Sequence, residues 1–316
     1  MTLFDDDLEF MTALVCTRNR GAELTDTVSS ILASTYPHFE LIVVDQSEDE
    51  RTRRAVQPFS SDPRLRYLRS ETQGLGRARN IGLTEARGSV VAMTDDDCVV
   101  PVHWLETMAA VFREYPAVAV AYCDVEPAPY DTLAGFVPSY ECHRSQLFSG
   151  SRSKCAARGI GAGTAVRRDA VLAFGGFDEM LGAGALFPSC EDGDMTARAL
   201  LFGHSVYETD AVAVCHAGFR TWKEGRQLAR RDWVGIGAAY AKPLKCGYWR
   251  FAVVPATEFF QYALWPPLSD LLRGRKPRGF GRMVAFLRGF IQGLRTPVDP
   301  KTLRFCPPAS VAGRTR

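Results

Sequence analysis

Short apolar segments alternate with segments of helical spacing through the first two thirds of the sequence. Residues 11–16 and 39–47 are apolar runs, and between them Leu24, Val28 and Ile31 recur at the spacing of one helix face. Similar runs occupy residues 64–70, 89–97, 117–125 and 205–216. Strands that alternate with helices are typical of α/β domains built on a mainly parallel sheet. The sequence therefore predicts that fold class.

Polar residues stand just beyond the ends of the predicted strands. Thr17 and Arg18 follow the first strand, Asp45 ends the second, and three aspartates at positions 95–97 end the fourth. In open α/β sheets, ligands bind in the crevice at the carboxyl ends of the strands. We therefore expect these residues to share one ligand-binding site.

The aspartate triplet, Asp95, Asp96 and Asp97, allows two interpretations. Carboxylate oxygens are the ligands that Mg²⁺ and Mn²⁺ prefer, and a bound cation that bridges to a phosphate would relieve the repulsion between them. Alternatively, the triplet is a charged turn before the next helix, where aspartate is mildly favoured. The triplet alone does not decide between the two, since short acidic motifs often match by chance.

A second acidic group, Glu191, Asp192 and Asp194, falls in the first turn of a predicted helix. These carboxylates could be simple partners of the helix dipole, or one could be a general base at the lip of a cleft. The preceding Gly175 and Gly176 favour a tight turn. His216 ends a strand-like run, and a lone histidine is more often structural unless a metal lies nearby.

Several features exclude other classes of protein. The glycine-rich residues 159–163 follow no apolar strand and lack the spacing of a dinucleotide loop. The nine cysteines include no Cys-x-x-Cys pair, which argues for a reducing compartment and against a disulfide framework or cysteine zinc site. A formal net charge of +2 gives no argument for nucleic acid, and the basic C-terminal end contains no recognisable nucleic-acid-reading motif.

The ends of the chain bear on its location. The start, with Asp5, Asp6 and Asp7, lacks the basic and apolar regions of a signal peptide, so we expect a cytoplasmic protein. After about Trp222 the sequence changes to helical spacing with aromatic and basic residues. We therefore divide the chain into a catalytic domain, residues 11–220, and a mostly helical region, residues 221–316.

The helical region suits an interfacial position. Aromatic residues followed by a basic cluster, within residues 250–295, favour peripheral contact with the inner face of an anionic membrane. The alternative is that these helices pack on the catalytic domain and arginine stems cover apolar surface. Prolines and charges in this region argue against a spanning helix.

Five motifs together resemble the family 2 glycosyltransferases, which are inverting enzymes of GT-A fold that use nucleotide-diphosphate sugars. The motifs are VCTRNR, YPHFELIVVDQS, GLGRARNIGLTEARGSVVAMTDDDC, GGFDEMLGAG and CEDGDMTARALLFGH, in the family's order. The resemblance covers about residues 12–220. It implies a Rossmann-like, mixed but mainly parallel sheet with flanking helices, and a role in the synthesis of cell-envelope polysaccharide or glycolipid.

The resemblance also implies roles for individual residues. The catalytic pair would be Glu191 and Asp192, with Asp192 the general base. The metal ligands would be Asp96, Asp97 and His216, holding Mn²⁺ or Mg²⁺. The nucleotide sugar would contact Thr17, Arg18, Asn19, Asp45, Arg77, Arg79, Asn80, Asp95 and Asp96. The acceptor would be a saccharide, a lipid-linked molecule or a small molecule, whose hydroxyl attacks the anomeric carbon with inversion.

Two departures and two alternatives stay open. Gln46 stands where many members have a second aspartate, which leaves base recognition undecided, and Asp194 adds another carboxylate near the acceptor side. A catalytically inactive scaffold that binds a nucleotide sugar or a glycan is the first alternative. A nucleotidyltransferase or phosphohydrolase is the second, although the expected loop or nucleophilic aspartate after the first strand is missing.

Overall fold

The computed structural model describes residues 9–307. The acidic start, with Asp5, Asp6 and Asp7, lies outside the described residues, as does the end of the basic region after residue 307. Within residues 9–307, no helix combines the length and apolar character needed to cross a membrane.

Most of the strands form one central sheet. In chain order the strands are β1 (Met11–Thr17), β2 (Phe39–Asp45), β3 (Leu65–Arg69), β4 (Val90–Thr94), β5 (Cys98–Val99), β6 (Val118–Pro127), β7 (Gly135–Phe136), β8 (Gln146–Ser149), β9 (Thr164–Arg167), β10 (Ser205–His216), β11 (Arg220–Thr221), β12 (Val298–Asp299) and β13 (Arg304–Phe305). The central sheet has the order β3-β2-β1-β4-β9-β6-β10-β5, and β8 pairs with another part of β10.

The sheet is mixed and mainly parallel in its first half. Strands β3, β2, β1 and β4 run parallel to one another. Strand β9 lies between β4 and β6 and runs antiparallel to both. All seven residues of β2 and all five of β4 are buried. Strands covered on both faces read as continuous apolar runs, which explains why the sequence pattern located them well.

The helices flank the sheet and then continue beyond it. They are α1 (Glu23–Leu32), α2 (Arg51–Val56), α3 (Leu75–Glu85), α4 (Trp104–Glu114), α5 (Arg168–Ala173), α6 (Glu191–Leu201), α7 (Trp222–Lys245), α8 (Val253–Thr257), α9 (Trp265–Leu272) and α10 (Phe280–Arg295). A π-helical segment, Glu258–Leu264, joins α8 to α9. The expected α/β architecture, with a mixed, mainly parallel sheet, flanking helices and a C-terminal helical segment, is confirmed.

Helix α7 begins at Trp222, where the sequence changes to helical spacing with aromatic and basic residues. Thr221 accepts a hydrogen bond from the backbone of Glu224, whose side chain accepts one from the backbone of Thr221. This reciprocal pair satisfies two backbone donors at the start of the helix. The division at residue 220 stays a prediction, although a helix start at this place agrees with it.

Helices α7 and α10 approach each other at glycines. A Cβ atom at Gly289 would lie 2.0 Å from the Val234 carbonyl oxygen, and one at Gly237 would lie 2.2 Å from the Phe286 carbonyl oxygen. Gly293 is similarly close to Ala238. The two backbones therefore pack so closely that no side chain fits between them at these positions.

A buried ionic cluster joins α7 to the catalytic part of the chain. The ammonium of Lys242, which is fully buried, lies 2.5 Å from Asp178 and 2.7 Å from Asp194. Asp194 also accepts a hydrogen bond from Arg198 at 2.8 Å. A buried charge without a partner is very costly, so these groups require one another.

Candidate active site

A cleft of about 560 Å³ opens at the carboxyl ends of β1 and β4. This is the edge at which open α/β sheets bind ligands. Its lining includes Thr17, Arg18, Arg20, Gln46, Arg79, Asp95, Asp96, Asp97, Gly161, Glu191, Asp192, His216, Arg220 and Asp232. The structure therefore brings together residues that lie more than 200 positions apart in the sequence.

The aspartate triplet begins directly after β4, as expected, and Arg20 neutralises part of it. The Arg20 guanidinium lies 3.0 Å from Asp96 Oδ1 and 3.0 Å from Asp97 Oδ2. Burial raises the pKa of Asp96 to about 6, against the opposing effect of Arg20. The repulsion that three adjacent carboxylates would cause is thus met here by a cation supplied by the chain itself.

His216 is held in a defined orientation beside Asp97. Its Nδ1 lies 2.8 Å from the carbonyl oxygen of Pro138, which can only accept, so Nδ1 carries a proton. Its Nε2 lies 3.2 Å from Asp97 Oδ1. Burial lowers the pKa of His216, but the bonds to Asp97 and to the Pro138 carbonyl oxygen, together with the charges of Asp97 and Asp95, outweigh it and raise the pKa overall. Conversely, His216 keeps the pKa of Asp97 below its usual range although burial opposes this.

The donor set fits a divalent cation. One ligand atom each of Asp97, Cys98 and His216 lie within 4.8 Å of one another. Burial raises the pKa of the Cys98 thiol strongly, which leaves the carboxylate oxygen and the imidazole Nε2 as the usable donors. A backbone carbonyl that holds Nδ1–H is the partner that commonly orients a metal-binding histidine. Asp97 and His216, with Asp96 beside them, could therefore hold the ion.

Arg79, on α3, connects the triplet to the second acidic group. Its guanidinium, 5% exposed, lies 3.0 Å from Asp192, 3.4 Å from Glu191 and 3.8 Å from Asp95. The backbone N–H of Gly161 donates to the other Asp192 oxygen at 2.9 Å. Asp192 is therefore fixed by two donors from different elements, while its side chain remains 23% exposed at the cleft.

The two members of the acidic pair differ in environment. Both stand in the first turn of α6, as expected, after Cys190, which has a φ of 71°. Burial, followed by the neighbouring Asp192 charge, raises the pKa of Glu191. Glu191 therefore keeps a proton more readily than an ordinary glutamate. The more exposed Asp192 is the better placed of the two to meet a substrate.

Four of the expected nucleotide contacts do not line the cleft. Asp45 is fully buried and accepts hydrogen bonds from Tyr67 at 2.5 Å and from the Ser47 backbone at 2.8 Å. Asn19 donates its backbone N–H to Ser47. Arg77 pairs with Glu179, and Asn80 is bonded to the backbone of Phe177, so both side chains are occupied elsewhere. Asp45 and Asn80 stabilise the loops around the cleft.

Some of the residues that line the cleft were not among the expected site residues. Arg20 ends the VCTRNR motif but was not expected at the site. Gly161 lies in the stretch rejected as a dinucleotide loop, where a Cβ atom would meet Arg79 at 2.5 Å. Asp232 lies on α7, in the region assigned to the C-terminal part, and burial raises its pKa to about 6. No local pattern around Asp232 indicates that it returns to the cleft.

Comparison with known sequences finds a family match for the first part of the chain. Residues 12–136 match the family described as Glycosyl transferase family 2. The glucosyl-dolichyl phosphate glucuronosyltransferase of Haloferax volcanii is 33% identical over 114 residues. That alignment covers 35% of this chain and 36% of the relative, so the similarity spans only about a third of either protein.

Comparison with solved structures extends over more of the chain. A mannosyltransferase, PcManGT from Pyrobaculum calidifontis, solved with GDP-Man and Mn²⁺, aligns with a TM-score of 0.60 and 19% identity over 90% of this chain and 87% of its own. S. aureus TarS 1-349 in complex with UDP-GlcNAc aligns with a TM-score of 0.57 and 18% identity over 90% of this chain and 81% of its own. Identities this low establish the fold. The chain thus carries a glycosyl transferase family 2 segment over residues 12–136, built into a GT-A fold.

Proposed function

We propose that this protein transfers a sugar from a nucleotide-diphosphate sugar to an acceptor hydroxyl, with inversion at the anomeric carbon. The observation that carries the proposal is the convergence, in one cleft, of the Asp95–Asp97 carboxylates with the Arg79–Asp192 pair. The fold is one on which solved neighbours bind GDP-Man or UDP-GlcNAc.

The acidic pair supplies the proton transfer. The Asp192 carboxylate takes the proton of the acceptor hydroxyl as that oxygen forms a bond to the anomeric carbon. The bond from that carbon to the diphosphate breaks, and the diphosphate leaves with the electron pair. A single displacement of this kind inverts the configuration. Arg79 and the Gly161 N–H hold Asp192 in place, so the base does not have to be oriented during the reaction.

The donor side of the cleft is the half that carries the triplet. Thr17, Arg18 and Gln46 line the wall where a base and ribose would lie, and Asp95, 3.8 Å from Arg79, lines the same cleft. Asp97 and His216, with Asp96, would hold Mn²⁺ or Mg²⁺. When bound, that ion would supply Lewis-acid neutralisation of the charge on the leaving diphosphate.

A thermal-shift panel tests the donor half of the proposal. UDP, GDP, dTDP and CDP would each be added with and without Mn²⁺ to wild type, to Asp97→Ala and to the control Asp169→Ala, whose aspartate is exposed on α5. A ligand at a hundred times its Kd should stabilise the fold by about 2.7 kcal/mol. We expect one nucleotide to raise the Tm only when Mn²⁺ is present, and only in the wild type and the control variant. If no nucleotide shifts the wild type, the proposal is wrong.

Turnover separates the enzyme from the inactive scaffold. Once the panel has identified the nucleotide, sugars linked to that nucleotide are tested as donors. An active enzyme forms a product of inverted configuration, whereas a scaffold binds the donor and returns it unchanged. A product of retained configuration would contradict the single displacement.

We further propose peripheral contact with an anionic membrane through residues 250–295. Large apolar side chains are exposed on the π-helical segment and α9, with Phe260 61%, Trp265 56% and Leu272 72% exposed. The exposed basic residues Arg273, Arg275, Lys276 and Arg278 follow directly. Each basic residue near an anionic surface contributes about 1 kcal/mol, and the apolar side chains add burial.

Vesicle co-sedimentation tests this contact. We expect binding to vesicles that contain phosphatidylglycerol, little binding to phosphatidylcholine alone, and a loss of binding in Leu272→Asp. Leu133→Asp, at an 88% exposed leucine outside the helical region, is the matched control. Equal binding by both variants would contradict the proposal.

A further inference from the structure

A second, larger groove lies along α7 and α10 and is bounded by residues 186–188, outside the cleft. Its volume is about 960 Å³. Its walls are mainly apolar, with Phe187 from the segment before α6, Val234 from α7, and Val284 and Ala285 from α10. Val284 is 62% exposed. An apolar groove of this size favours a hydrocarbon chain, because burial removes apolar surface of both partners from water.

Four arginines stand around this groove. They are Arg230 and Arg231 on α7 and Arg288 and Arg295 on α10, all exposed. Within residues 9–307, no acidic side chain lines the groove and none of the four guanidinium groups forms an ion pair. Arginine presents paired donors that match phosphate oxygens. The groove thus combines an apolar floor with unpaired positive charge.

The groove adjoins the cleft along two parts of the chain. Ala183 and Gly184 line the cleft, whereas residues 186–188 line the groove. On α7, Asp232 lines the cleft and the preceding Arg231 lines the groove. Ser189 ties the two parts together, since its hydroxyl donates to the Asp232 carbonyl oxygen at 2.8 Å. The groove and the cleft therefore lie next to each other along residues 183–188 and at Arg231 and Asp232.

We propose that this groove binds the lipid and phosphate of a lipid-linked acceptor. The hydrocarbon chain lies along α7 and α10 against residues 186–188, the phosphate lies at the arginines, and the saccharide beyond it reaches the cleft, where its hydroxyl meets Asp192. The inference rests on the proposed transfer reaction and names the class of its acceptor. A free saccharide would have no use for the apolar walls, and a neutral lipid would have none for the four arginines.

Calorimetric titration with dodecyl phosphate, kept below its micelle concentration, tests the inference on the full chain. Inorganic phosphate and dodecanol separate the contributions of the anion and the alkyl chain. Val284→Trp fills the groove, and Leu287→Trp places the same side chain on α10 at an exposed position outside the groove lining. Arg288→Glu reverses a charge in the groove, and Arg282→Glu does so on α10 outside its lining.

We expect dodecyl phosphate to bind the wild type more tightly than phosphate or dodecanol does. Val284→Trp and Arg288→Glu should each weaken binding about tenfold or more, and the two control variants should leave it unchanged. Absence of binding to wild type, or equal losses in variants and controls, would overturn the inference. The nucleotide-dependent thermal shift is measured alongside. If it persists in all variants while dodecyl phosphate fails to bind, the groove assignment alone is wrong.

Discussion

The ammonium of Lys242, on α7, lies 2.7 Å from the carboxylate of Asp194, on α6, two positions after Asp192. The same ammonium lies 2.5 Å from Asp178, and all three side chains are buried. A helix from the last third of the chain thus completes the ionic environment beneath the first turn of α6, which carries the proposed base.

Replacement of Lys242 by methionine should destabilise the fold by about 3–5 kcal/mol, because the buried Asp178 loses its cation and the buried Asp194 keeps only Arg198. Denaturant unfolding measures the loss. Lys223→Met, at an exposed position of the same helix, should change stability by less than about 0.5 kcal/mol.

A fragment ending at residue 220 lacks Lys242 and should fail to fold. A stable, cooperative fragment would show that the catalytic domain is independent of α7.

Asp192→Asn should lower kcat by about 10²–10⁴-fold, because an amide cannot accept the acceptor's proton. The nucleotide-dependent thermal shift should persist, since Asp192 lies on the acceptor side of Arg79. Steady-state rates with the identified donor measure the effect. Asp169→Asn is the control. A similar loss in both variants, or a kcat unchanged in Asp192→Asn, would assign the base elsewhere.

Arg20→Ala should destabilise the metal-free protein by about 1 kcal/mol, because Asp96 and Asp97 lose their shared, partly exposed partner. Added Mn²⁺ should then raise the Tm of the variant more than that of the wild type, since the ion takes over the neutralisation. Arg51→Ala, which removes an exposed ion pair, should respond to Mn²⁺ as the wild type does. Equal Mn²⁺ responses in Arg20→Ala and wild type would contradict this account.

Asp232→Asn should stabilise the protein above pH 6. Burial raises the pKa of Asp232 from 3.8 to about 6, so between about pH 4 and 6 the folded state keeps a proton that the unfolded chain has lost. The free energy of unfolding of the wild type therefore decreases between about pH 4 and 6 as the pH rises, whereas that of the variant does not.

The gain should be about 1 kcal/mol at pH 7 and vanish below about pH 4, since Asp232 is only partly buried. Urea unfolding across this range measures it. Asp169→Asn, at an exposed position of α5, is the control variant for this measurement. A difference between Asp232→Asn and wild type that stays constant from pH 4 to pH 7 would contradict the assignment.

The fold was predictable because its strands are buried on both faces. Continuous apolar runs located β1, β2 and β4. Thr17, Arg18 and the aspartate triplet line the cleft as expected, whereas Asp45, at the end of β2, does not. Strand β9 was not predicted, because its four residues show no pattern of their own and its place depends on pairing with β4 and β6.

Within the site, local sequence could not reveal long-range partners. Arg79 was expected to contact the nucleotide sugar, but its bond to Asp192, 113 positions away, is a tertiary contact that no local pattern indicates. Asp232 reaches the cleft because α7 returns to it, which no spacing in the sequence indicates. The position of a residue beyond a strand end is thus readable from the sequence, whereas its neighbours from other elements are not.

The glycine contact between α7 and α10 has a consequence for how relatives of this protein diverge. Sequence similarity to the family is recognised over residues 12–136, which do not include the groove. Gly237, Gly289 and Gly293 admit no side chain, so drift at these positions would push the two helices apart and change the groove's width. Among homologues with the same cleft, these three positions should distinguish lineages that keep the groove from those that have lost it.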